Sequence, residues 1–240
     1  MFNEKVIAIT GGNSGIGKAI AQKFNPEGAK IAIFGRDEHK LQQVNTALRE
    51  SIALSGDVSK VSDLDLFFQT TQEKLGKIDI LVACAGIASR RALDEVDEAY
   101  FDEMVNINFK GVYFTVQRAI SYLNDDASVV LISSMATQRG WSSHSVYSST
   151  KAAVSMLTKN FSADLIHRGI RVNSISPGYT STEMYPSDFI EQHKKTLPTG
   201  EFVKPEEIAD AVAFLSSPSA ASIVGVDLLI DSGLTTLINE

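Results

Sequence analysis

Tyr147 and Lys151 stand four residues apart in the run Val146-Tyr147-Ser148-Ser149-Thr150-Lys151-Ala152-Ala153, which reads as helix. Positions i and i+4 share a helix face, so this spacing sets a phenol beside an ammonium. A phenol with a pKa near 10 must fall by about three units, equivalent to about 4 kcal/mol, to exchange protons near neutral pH. One positive charge at about 4 Å supplies up to about 4 kcal/mol at an effective dielectric constant of 20. Lys151 alone comes close to that. A lone Tyr-x-x-x-Lys is more often an ordinary pair on an exposed helix, so the spacing by itself does not choose. Upstream, the strand Val129-Val130-Leu131-Ile132 ends in Ser133-Ser134. A serine at that edge can donate to a carbonyl oxygen that gains charge during a reaction, although strand-end serines elsewhere are turns or caps. No serine sits in a Gly-x-Ser-x-Gly setting, which leaves a hydrolase nucleophile unsupported.

A second cluster points to a nucleotide. Thr10-Gly11-Gly12-Asn13-Ser14-Gly15-Ile16-Gly17 closes the apolar run Lys5 to Ile9 and opens a helix-like stretch from Lys18 to Phe24. Free N–H groups and the positive end of a helix dipole favour an anion there, and glycine lets it approach the chain. Gly12 to Lys18 also fits the beginning of a phosphate-binding P-loop. Ala19 breaks that match, because the next residue would have to be a Ser or Thr that holds Mg²⁺.

In dinucleotide-binding folds an acidic residue about 20 positions beyond the glycines accepts from the adenosine ribose and repels a 2′-phosphate. Counting from Gly15 lands on Gly35, and Arg36 follows. A guanidinium suits a phosphate dianion, so the expected cofactor is NADP(H). NAD(H) stays open, because Asp37 is one residue further on and can reach the ribose.

These groups need a scaffold. Short apolar runs alternate with longer amphipathic ones, the pattern of parallel strands joined by crossover helices. The expected fold is an α/β, Rossmann-type, doubly wound parallel sheet of seven strands in a single domain over 1–240. Strands are placed at Lys5–Thr10, Lys30–Phe34, Ile52–Ser55, Ile80–Ala83, Ser128–Ile132, Arg171–Ile175 and Asp227–Ile230. Amphipathic helices are expected around Met104–Ile120 and Val146–Ala163. Residues 179–200 carry four threonines, two prolines and little periodicity, and follow the sixth strand at its carboxyl end; they are expected to form a lid over the substrate.

A formal net charge of −7 disfavours non-specific binding to nucleic acid or anionic membranes. One cysteine, Cys84, excludes an intrachain disulfide and suits a reducing compartment. With no targeting or spanning segment in view, the cytoplasm is the expected location. His39, His144, His167 and His193 show no short metal-ligand spacing, so no metal is expected.

Taken in order, Thr10-Gly11-x-x-x-Gly15-x-Gly17, Asp57-Val58, Asn108-Phe109-Lys110-Gly111, Ser134, Tyr147-x-x-x-Lys151 and Asn173-x-x-x-Pro177-Gly178-x-x-x-Thr182 resemble the classical short-chain dehydrogenase/reductase family, from Lys5 to about Gly233. The resemblance implies an oxidoreductase that moves a hydride between a nicotinamide cofactor and a carbonyl or secondary alcohol. Tyr147 would exchange the proton and Ser134 hold the substrate oxygen. Lys151 would lower the phenol pKa and bind the nicotinamide ribose, with help from the nicotinamide charge. Asn108 would fix a water in a proton relay. Gly11, Asn13, Ser14, Gly15, Ile16 and Gly17 would cradle the phosphates, with Arg36 at the ribose. Asp57 and Val58 would meet the adenine, Ala85 and Gly86 would border the pocket, and Pro177, Gly178, Thr180 and Thr182 would line the nicotinamide side. One departure is plain: Ala83-Cys84 stands where the family has Asn-Asn, which removes amides that would brace that strand.

Met135, Gln138, Trp141, His144, Met184, Tyr185 and Phe189 are expected around a moderately apolar small-molecule substrate. A 3-oxoacyl-acyl carrier protein reductase is an alternative within the enzyme class, with Arg168 and Arg171 as candidate contacts to an acidic carrier, although Asn124-Asp125-Asp126 argues mildly against it. A dinucleotide-sensing protein without catalysis is the alternative outside that class. Similar proteins form homotetramers, the expected assembly here.

Overall fold

The computed structural model describes residues 1–237. Seven strands form one all-parallel sheet in the order β3-β2-β1-β4-β5-β6-β7. They are β1 Val6–Thr10, β2 Lys30–Gly35, β3 Ser51–Ser55, β4 Ile78–Ala83, β5 Leu123–Ile132, β6 Arg171–Pro177 and β7 Asp227–Ile230. Helices α1 Gly15–Phe24, α2 Glu38–Thr46 and α8 Pro205–Leu215 lie against one face. The other face carries α3 Val61–Leu75, α5 Gly111–Ala119 and α6 Ser145–Leu165.

The strand sequences dictate this double cover. Side chains alternate sides along a strand, so Ile7, Ile9, Ile31, Ile33, Val82 and Val130 pack with Ile20, Phe24 and Val212. Ala8, Phe34, Leu81, Val129 and Leu131 pack on the opposite side with Phe67, Phe68, Val116 and Phe161. Strand order reverses between β1 and β4, and at such a switch point the carboxyl ends of the strands leave a crevice.

Three details differ from the sequence expectation. The stretch Met104–Ile120 is not one helix: α4 Glu98–Val105 passes through a π-helical turn at Asn106–Lys110 before α5 begins. β5 starts at Leu123, because Asn124 donates to Asp79 and Arg168 holds Asp125, so polar residues extend the strand on tertiary partners. Residues 179–200 contain a short helix, α7 Ser187–His193, and close on an aromatic cluster in which Phe189 stacks on His193 with ring centroids 3.8 Å apart and Tyr179 stacks on Phe202 at 5.4 Å.

Gly11 adopts φ +72°, and a Cβ there would come within 2.9 Å of the Ala85 backbone. Gly140, with no positive φ, has nothing within 4 Å. Gly11→Ala should therefore lower the urea-unfolding free energy by at least about 1 kcal/mol, whereas Gly140→Ala leaves it equal or raises it by up to about 1 kcal/mol. Equal effects at the two positions would contradict the close packing of β1 against the chain after β4.

Candidate active site

The glycine turn is pinned at its base, where Gly11 N–H donates to the Phe34 carbonyl at 2.7 Å. A Cβ at Gly17 would strike the Gly11 carbonyl oxygen, so α1 begins as close to β1 as backbone allows. The α1 N-cap, Ser14, makes no side-chain cap bond and the first turn carries no acid. By contrast, Asp37 caps α2 and Asp97 caps α4. The open N–H groups of α1 face a cleft of about 510 Å³.

That cleft gathers nearly every residue singled out above. Gly11, Asn13, Ser14, Gly15, Ile16 and Gly17 form one end, with Arg36, Asp57 and Val58 beside them. Ala85, Gly86, Ser134, Tyr147 and Lys151 form the floor, and Pro177, Gly178, Thr180 and Thr182 the opposite wall. Met135, Trp141, His144, Met184 and Tyr185 line the mouth. Gln138 and Phe189 do not line it. Gln138 is exposed and its amide turns to the Thr137 hydroxyl, while Phe189 is spent inside the aromatic cluster of residues 179–200.

Asn108 also lies behind the cleft wall, fully buried. Its Nδ2 donates to the Ile87 carbonyl and its Oδ1 accepts from Ile87 N–H, both at 2.8 Å. The segment after β4 thus has its amide brace, supplied from the π-helical turn and not from the strand. Ala85 N–H adds a bond to the Thr10 hydroxyl at 3.3 Å. A Cβ on Gly86 would sit 3.2 Å from Asn108 Oδ1 and 3.4 Å from Lys151 Nζ, so glycine lets these two groups converge.

Two reciprocal bonds fasten α6 to the end of β5. Lys151 Nζ donates to the Ile132 carbonyl at 2.9 Å, and the Ser133 hydroxyl donates to the Lys151 carbonyl at 3.0 Å. Ser133 also meets the Ser155 hydroxyl at 2.9 Å, and Ser155 donates to Asp227 at 2.7 Å. Asp227 further accepts from Ser174 and Ser176, both 2.9 Å. This chain of hydroxyls, which joins β5, α6, β6 and β7, has no local sequence signature.

Burial decides the electrostatics. It pushes Lys151 down from 10.5 to about 8 and the Tyr147 phenol above its ordinary value, the latter opposed by an interaction with the Ser134 hydroxyl. The Lys151 amine is turned to the Ile132 carbonyl, and the Ser134 hydroxyl is what opposes burial of the phenol. Spacing had suggested a phenol lowered by that lysine, and desolvation outweighs it. Cys84 lines the cleft, and burial pushes its thiol up to about 11, which keeps it protonated and unreactive near neutrality.

Residues 11–235 match a family model described as enoyl-(acyl carrier protein) reductase. The chain belongs to the classical short-chain dehydrogenase/reductase family. It is an oxidoreductase of that family, whose members use NAD(P). It is 33% identical to cis-4-hydroxycyclohexanecarboxylate dehydrogenase of Sinomonas cyclohexanicum over 98% of each chain. It is 32% identical to the hydroxynaphthalene reductase-like protein Arp2 of Metarhizium brunneum, covering 97% of this chain and 95% of that one. A short-chain dehydrogenase from Burkholderia cenocepacia J2315, solved in complex with NADP, superposes with a TM-score of 0.93 at 31% identity, over 98% of this chain and 99% of that one.

A lysine whose folded pKa lies below its unfolded value penalises folding below the folded pKa, and the penalty vanishes as pH rises past the unfolded one. The gap from 10.5 to about 8 corresponds to about 3 kcal/mol. Between pH 7 and pH 10.5 the wild type should therefore gain up to about 3 kcal/mol of unfolding free energy relative to Lys151→Met. A constant difference across that range in paired denaturant titrations would show that Lys151 titrates normally.

Proposed function

We propose that this oxidoreductase is an NADP(H)-dependent reductase or dehydrogenase of a small carbonyl or secondary-alcohol substrate, with Tyr147 as general acid/base. The observation that carries this reading is the convergence of Tyr147, Ser134 and Lys151 on the floor of the cleft that the glycine turn opens. The glycine cradle, the open α1 N-terminus and the Arg36 side chain fit a dinucleotide phosphate, and the nicotinamide supplies or accepts the hydride when bound. Ser134 then positions the substrate oxygen beside the phenol and donates to it as charge builds. Tyr147 gives up its proton in reduction and takes one in oxidation. Lys151, protonated below about pH 8, holds a ribose hydroxyl, while the Ser134 hydroxyl opposes the burial of the phenol. Asn108 acts as a positioning residue that fixes the Ile87 backbone and carries the proposed water relay onward from Lys151.

The preference for NADP(H) over NAD(H) rests on Arg36 and Asp37. Arg36 is exposed at the end of β2 and makes no ion pair among the described residues. Asp37 accepts Lys40 N–H at 3.0 Å as the α2 cap, so one of its carboxylate oxygens is already engaged. An acyl carrier protein substrate is disfavoured: Arg168 binds Asp125 and the Ile120 and Leu123 carbonyls, and Arg171 binds the Leu215 and Ala220 carbonyls. Both guanidiniums serve the fold. A ring ketone or ring alcohol suits the Trp141, Met135 and Tyr185 walls, and both named relatives are named for ring compounds.

The lid role of 179–200 is supported by the Glu183–Lys40 ion pair at 2.8 Å, which ties the segment to α2. A cytoplasmic homotetramer completes the proposal. Phe101, Tyr113 and Met156 on the α4–α6 side, and Phe214, Val224 and Val226 around β7, offer two exposed apolar surfaces for it. No helix among the described residues is long and apolar enough to cross a membrane.

Tyr147→Phe should leave the NADPH dissociation constant within about twofold and lower turnover by about 10²- to 10⁴-fold. Unchanged turnover would defeat the proposed chemistry. Arg36→Ala should weaken NADPH by about 10- to 100-fold in fluorescence titrations while NADH binding barely moves; equal losses for both cofactors would remove Arg36 from the phosphate site.

A further inference from the structure

We propose that the substrate carries a carboxylate, bound by Arg90 at the mouth of the cleft. This deepens the reading above and rests on it for the identity of the reacting site. The charged side chains lining the cleft divide by position. Arg36, Asp37 and Asp57 belong to the end near the glycine turn, Glu183 is paired with Lys40, and Lys151 is bonded to Ile132 on the floor. Arg90 is the charged lining residue left over. Among the described residues its guanidinium makes no ion pair and no side-chain hydrogen bond, although it is followed directly by Arg91, which pairs with Asp97 at 2.8 Å and stacks over Tyr100 at 4.3 Å. The adjacent arginine is thus consumed by the fold and Arg90 is not.

Its position relates it to the chemistry. Arg90, Tyr147 and Tyr185 line the same cleft, and the Arg90 charge works against the burial that pushes the Tyr185 phenol up. Arg90 is itself exposed and shares the cleft lining with the apolar Trp141, Met135 and Tyr185, so it offers its guanidinium to an anion that enters with an apolar body. A planar guanidinium matches the two oxygens of a carboxylate. With no second lining cation unspent at that end, the match is to a monoanion and not to a phosphate dianion.

Trp141 is the only tryptophan in the chain and lines the cleft, so its emission reports occupancy without turnover. The full chain is titrated with 4-methylpentanoate and with 4-methylpentanamide, which share shape and differ in charge. The expected result is at least tenfold tighter binding of the carboxylate in the wild type, with the preference abolished in Arg90→Gln. Equal affinities, no saturable change with the carboxylate, or a preference that survives in Arg90→Gln would each overturn the assignment. Because no hydride transfer is read, such a failure is distinct from failure of the Tyr147 chemistry. Circular dichroism verifies that the Arg90→Gln variant is folded.

Discussion

The exchange of hydrogen bonds between Lys151 and the end of β5 is the constraint on which the site depends. Lys151 Nζ reaches the Ile132 carbonyl while Ser133 reaches back to the Lys151 carbonyl, so α6 cannot slide along the sheet without breaking both bonds. Ser134 follows Ser133 on the strand, and Tyr147 precedes Lys151 by one turn on the helix. Fixing helix to strand therefore fixes phenol to hydroxyl. The cost is a buried amine, and the Asp227 network of serines surrounds the same joint with satisfied polar groups instead of apolar packing.

Much of this was legible in the sequence because its signals are local. Alternating apolar strands, a glycine turn between strand and helix, and an i, i+4 pair each report short-range geometry, and they led to the sheet, the cleft and the helix face. What escaped depends on distant partners. The π-helical turn at Asn106–Lys110 changes a hydrogen-bond register that composition does not encode. β5 begins within Asn124-Asp125-Asp126, a polar stretch made into strand by Asp79 and Arg168. Asp227 is an unremarkable acid until three serines from α6 and β6 close on it. Phe189 reads as a pocket wall by position, yet it turns into an aromatic cluster with Tyr185 and His193.

The replacement of the family's Asn-Asn by Ala83-Cys84 shows how a local loss is met by a tertiary contact. Asn108 holds both backbone groups of Ile87, and Thr10 holds Ala85, so the chain after β4 is braced from its neighbours. The small side chains at 83 and 84 then allow tight packing beside Gly11 and Gly17.

Burial, opposed by an electrostatic interaction with Cys84, holds Lys151 in a proton-exchanging state near neutral pH. The most direct measurement is a side-chain NMR titration of labelled lysine, with Lys151 assigned by its absence in Lys151→Met. The account predicts a midpoint for Lys151 near 8, well separated from the exposed lysines. A midpoint at or above 10 would contradict it.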